Sequence, residues 1–128
     1  MRNASDLKFL RVLVAAGIAV AGLSLAASTA TAKPAYVGKW QPSAAQCRSR
    51  LASDAEQVTV LTARSLNQSE NICKFRSVSG GRGVWVAKVR CLGPGEVDNT
   101  RLTIWATATR LTIGYNSSGI RENYVRCR

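Results

Sequence analysis

From Tyr36 onward, apolar and polar positions alternate in short runs separated by residues that turn a chain. Alternation with a period of two predicts half-buried strands. Tyr36-Val37-Gly38-Lys39-Trp40 is the first such run, with Trp40 turned inward. Ala44 to Ala55 departs from the pattern: its Ala, Gln, Arg and Leu favour a turn or two of helix, too short to persist without packing. From Gln57 to about Arg64 the period returns to two, with Val58 and Val60 on one face and Thr59 and Leu61 on the other. The polar stretch Asn67 to Asn71 predicts a turn.

Asn71 to Cys91 carries the strongest local signal. Two alternating runs flank Ser79-Gly80-Gly81-Arg82-Gly83, where the chain can reverse at little steric cost, so a β-hairpin is expected. Setting Cys73 opposite Cys91 brings Phe75 to Val89 and Ser77 to Ala87 on a core face. Lys74 then meets Arg90, and Arg76 meets Lys88, on a cationic face. Gly93-Pro94-Gly95 ends the hairpin. Leu102, Ile104 and Ala106 then alternate with Arg101, Thr103, Trp105 and Thr107, followed by Leu111, Ile113 and Tyr115 and, after Asn116 to Gly119, by Glu122 to Cys127. The count is about seven short strands with at most one minor helix. The expected fold is all-β, a small antiparallel meander or up-and-down barrel, because closure removes the edges an open sheet would expose.

The N-terminus follows another rule. Lys8 and Arg11 precede the apolar run Val12 to Leu25, and a small-residue stretch ends at Ala30-Thr31-Ala32. This is the pattern of a secretory signal peptide over residues 1–32, leaving one β domain over residues 33–128 in the periplasm or outside the cell. The run is shorter than the roughly 20 apolar residues of a spanning helix, so no stable membrane span is expected after cleavage. Without Arg2, Lys8, Arg11 and Asp6, the 18 basic and 7 acidic residues become 15 and 6, a net charge of +9. A domain this small has a marginal core, so cross-links contribute substantially to its stability.

Four cysteines in an exported chain fit two disulfides. The hairpin register favours Cys73 with Cys91, which leaves Cys47 with Cys127 to tie the N-terminal arm to the last strand. No cysteine pair has C-x-x-C spacing and histidine is absent, so neither a metal nor a cofactor is expected. Lack of histidine also removes the commonest general base. Glu70, Glu96, Asp98 and Glu122 fall in expected turns or at a strand end, where carboxylates are commonly solvated. The glycines near Gly80 do not open a phosphate-binding helix. A non-enzymatic binding protein is therefore expected.

Two surfaces are candidates for that binding. Lys74, Arg76, Lys88 and Arg90 form an anion-binding candidate, weighed against a charged face that only discourages edge-to-edge aggregation. Trp105, Tyr124 and Arg126 fall on the outer register if Ile104, Val125 and Cys127 face inward. They would form a protein-binding patch of aromatics beside arginine.

The order G-x-W, Cys, Cys, W, Cys and terminal R-C resembles the small exported four-cysteine β proteins of proteobacteria, most of which have no assigned function. Val37-Gly38-Lys39-Trp40-Gln41 with Cys47 soon after is also similar to the start of periplasmic metallopeptidase-inhibitor barrels, which carry a single disulfide. These resemblances imply an envelope-associated or inhibitor-like role toward a protein partner. The charge implies instead a cationic module for polyanions: lipopolysaccharide, other anionic envelope polymers or nucleic acid.

Overall fold

Each strand pairs with the one that follows it in the chain, and the last returns to the first. In the computed structural model, which describes residues 31–128, the elements are β1 (Gly38–Gln41), α1 (Ala44–Arg48), α2 (Ala52–Glu56), β2 (Thr59–Leu61), β3 (Ser65–Gln68), β4 (Asn71–Gly81), β5 (Val84–Gly93), β6 (Glu96–Ala106), β7 (Arg110–Tyr115) and β8 (Arg121–Arg126). They form a closed antiparallel barrel in sequence order. The β1–β8 seam is short, Trp40 opposite Arg126 and Gln41 opposite Val125. Residues 1–30, which hold most of the expected signal peptide, lie outside the described residues. Among the described residues no helix is long and apolar enough to cross a membrane.

The strands number eight because the stretch after Arg64 adds one. Ser65–Gln68 pairs with both β2 and β4, and the expected turn at Asn67 to Asn71 narrows to Ser69 and Glu70. This strand lacks an apolar alternation because of what its inward positions meet. Leu66 enters the core, whereas Gln68 enters a polar cluster at the barrel's end. The expected helix divides into α1 and α2, interrupted by Ser49, Arg50 and Leu51. Ser43 caps α1 by accepting a hydrogen bond from the Gln46 backbone. Gln41 Nε2 donates to the Asp54 carbonyl and so anchors α2 to β1.

Inside the wall, Trp40, Leu61, Leu66, Ala87, Val89, Leu102, Ile104, Leu111 and Ile113 are buried. The segment before β1 closes one end: Tyr36 is buried edge-on to Trp85, with ring centroids 5.0 Å apart, and its carbonyl accepts from Trp40 Nε1. Trp40 is thus fully buried, as its register predicts, and Trp85 is partly buried against the same core.

Both expected disulfides are present, Cys73–Cys91 and Cys47–Cys127. Cys73 is buried opposite Cys91 in the β4–β5 ladder. The other bridge joins α1 to the residue just after β8, across 80 positions of sequence.

The hairpin register holds only near the cysteines. Cys73, Lys74 and Phe75 face Cys91, Arg90 and Val89, but a bulge at Arg76 then shifts the pairing, so that Ser77 meets Lys88 and Val78 meets Ala87. The expected pairs Arg76 with Lys88 and Ser77 with Ala87 are corrected accordingly. One extra residue on β4 keeps Val78 rather than Ser77 toward the core, which is the physical gain from the bulge. The reversal tightens to Arg82-Gly83, both at positive φ (54° and 89°), as a two-residue hairpin turn requires.

Candidate functional site

The pleat sorts the charges of β4, β5 and β6 onto opposite sides of the wall. Lys74, Arg76, Lys88, Arg90 and Arg101 are all exposed on its outer side. Lys74 stands opposite Arg90, and Arg90 opposite Asn99. One row further along, Lys88 stands between Ser77 and Arg101. No register partner of these cations is acidic. A surface groove of about 710 Å³ runs along the second row, lined by Arg76, Lys88, Arg101, Asn99, Asn116 and Ser117 among others.

The four expected cations therefore share one face. Arg76 reaches it from the bulge rather than from a paired position. Arg101 extends the face onto a third strand and was not among the sequence candidates. Its alternation with Leu102 marks it as outward-facing, but only the β5–β6 register sets it beside Lys88. Like charges directly opposite destabilise a sheet, so this arrangement is maintained against its own repulsion.

The expected aromatic patch is not assembled. Trp105 lies on the outer wall, half-buried over Gly114, with the Arg121 guanidinium 4.9 Å from its ring centroid. Tyr124 is buried, 8% exposed, and its neighbour Val125 takes the outer position. Arg126 likewise turns inward. It stacks on Trp40 at 4.1 Å and donates to the carbonyls of Ala35, Val37 and Ala108. The register expected from Cys127 fails because that cysteine lies beyond the end of β8, where the disulfide to α1 sets its direction.

At the end away from Tyr36, the interior turns polar. Glu122, expected as a solvated carboxylate at a strand end, instead faces this interior from the second position of β8, and its Oε2 accepts from the Tyr124 hydroxyl, which itself accepts from Gln68 Nε2 at 2.8 Å. The Tyr115 hydroxyl lies 3.0 Å from the same carboxylate oxygen. Gln68, Tyr115 and Glu122 of this cluster form part of the wall of a cavity of about 360 Å³, together with Glu96, Asp98, Thr100 and the Cys73–Cys91 bridge. Among the described residues no group of three or more His, Cys, Asp or Glu is placed to hold a metal ion.

Burial raises the pKa of Tyr115 and Tyr124 well above the ordinary value of 10.0, and the charge and hydrogen bond of Glu122 raise it further. Burial alone raises that of Tyr36. These are the chain's three tyrosines. Stability that depends on their neutral forms is fully present below pH 10.0 and declines above it, where the unfolded chain ionises first. Phenolate absorbance in an alkaline titration should therefore rise only together with loss of the near-ultraviolet circular dichroism. A phenolate signal near pH 10 from protein that is still folded would contradict this account.

No protein-family model matches the chain, and no match was found among curated proteins or solved structures.

Proposed function

We propose that this is a non-enzymatic binding domain of an oxidising compartment outside the cytoplasm, which engages polyanions through the outer face of β4, β5 and β6. One observation carries the reading: five exposed cations gathered on three adjacent strands, with two like-charged pairs directly opposed, Lys74 with Arg90 and Lys88 with Arg101. A multiply charged anion spanning these rows would relieve that repulsion and release its own counterions. Two disulfides accord with export. The surface expected to serve an inhibitor-like role toward a protein partner was a patch of Trp105, Tyr124 and Arg126. Tyr124 and Arg126 are turned into the barrel, so the cationic reading is preferred.

The test is a double substitution, Lys88→Gln with Arg90→Gln, which removes one member of each opposed pair. Relief of repulsion should hold the melting temperature or raise it, by an amount corresponding to roughly 0.2 to 1 kcal/mol per pair. Binding to polyphosphate or to an anionic polysaccharide should weaken, and the dependence of log affinity on log salt should flatten by roughly one to two. Unchanged affinity and salt slope would refute the proposed face.

A further inference from the structure

The cationic rows do not end in solvent. Next to them, at the free end of the same three strands, Ile72 stands opposite Leu92 and Leu92 opposite Val97. These side chains are 44%, 43% and 55% exposed, and they form an unbroken aliphatic row across the outer wall. With outward positions about 7 Å apart along a strand, Lys74 and Arg90 lie one step behind this row, and Lys88 and Arg101 lie about 13 Å behind it.

We propose that this face docks on the surface of an anionic lipid bilayer, with Ile72, Leu92 and Val97 entering the acyl boundary and the cations meeting the headgroups. The inference rests on the polyanion reading above and names the anion's source. The spacing fits an oblique approach of the outer wall: the interfacial layer on each side of a bilayer is roughly 5 to 7 Å deep, so with the aliphatic row leading into its base, Lys74 and Arg90 lie among the phosphates and the long side chains of Lys88 and Arg101 reach the headgroups from the outer edge. Charge segregation fits as well. Glu96 and Asp98 lie on the same segment of β6 but share the inward parity of Leu102, so the pleat points them away from the surface that carries Val97, Asn99 and Arg101. Glu70, in the turn before β4, opposes with one charge against five. A free polyanion would use the cations but would leave the aliphatic row exposed to water. A bilayer with anionic headgroups is complementary to both.

Co-sedimentation with vesicles tests the proposal, using full-length mature protein and two vesicle types, pure phosphatidylcholine and phosphatidylcholine with a third phosphatidylglycerol. The expected result is binding to the anionic vesicles only. Leu92→Thr with Val97→Thr preserves strand propensity and all charges. It should lower vesicle partitioning by about tenfold or more and leave polyphosphate affinity unchanged. Near-ultraviolet circular dichroism checks that the variant is folded. Polyphosphate binding without vesicle binding, or vesicle binding that the threonine variant retains, would overturn the membrane proposal and leave the polyanion face standing. Absence of binding to both would overturn the two together. Equal binding to neutral vesicles, or a dimer in sedimentation that the threonine variant abolishes, would assign the aliphatic row to a different occupant and also overturn the proposal.

Discussion

Replacing Cys47 and Cys127 together by alanine is expected to lower stability by about 4.5 kcal/mol, against about 3 kcal/mol for the Cys73 and Cys91 pair. The ranking follows from the loops each bridge closes, with sequence separations of 80 and 18, because a longer closed loop removes more conformations from the unfolded chain. Topology adds to the effect. The longer bridge stands beside the β1–β8 seam, which is joined by only two paired positions, so its loss weakens barrel closure at a short ladder. Cys73–Cys91 instead reinforces a β4–β5 ladder that already extends from Ile72–Leu92 to Gly81–Val84. Guanidinium unfolding of the oxidised protein and the two paired variants checks the order. A larger loss from the Cys73 and Cys91 variant would show that interior packing around that bridge outweighs loop closure.

Arg126→Met is expected to destabilise by about 3 kcal/mol, although an arginine on a small cationic protein would ordinarily be treated as surface charge. Methionine retains much of the aliphatic stem but none of the donors. The carbonyls of Ala35, Val37 and Ala108 would lose their partner, and Trp40 would lose the cation over its ring. Arg126→Lys should recover only part of the loss, because an ammonium group cannot span three carbonyls as the planar fork does. The same variants report on how the N-terminal segment is held, since two of these carbonyls belong to the residues that carry Tyr36 into the end of the barrel. Hydrogen exchange at residues 35–37 should accelerate in Arg126→Met, and unchanged exchange there would separate Arg126 from that closure.

What could be read from the chain was what depends on neighbours within a strand or across one turn. Alternation alone identified the all-β class, the inward Leu102, Ile104, Leu111 and Ile113, and the cationic side of the hairpin. The Cys73–Cys91 pair followed from local register, and Cys47–Cys127 followed from it by elimination. Strand β3 was missed because its outer residues and Gln68 are polar, so no alternation marks it. It exists because β2 and β4 both need a hydrogen-bonding partner between them.

Tertiary structure alone decided the rest. The bulge at Arg76 cannot be read from N-I-C-K-F-R-S-V, because Ser77 and Val78 fit either register until the core behind them selects Val78. Tyr124, Glu122 and Arg126 would be placed outside by any argument that puts polar residues in water. They lie inside because the two ends of a small closed barrel cannot both be filled with apolar side chains, and polar groups there find partners in one another and in free carbonyls. The candidate binding face has the same origin. Each of its cations is visible in the sequence, but the alignment of Arg101 with Lys88, and of Ile72, Leu92 and Val97 in one row beside them, is a property of cross-strand register. A strand determines which side its residues face, and only its neighbours in the barrel determine what stands beside them.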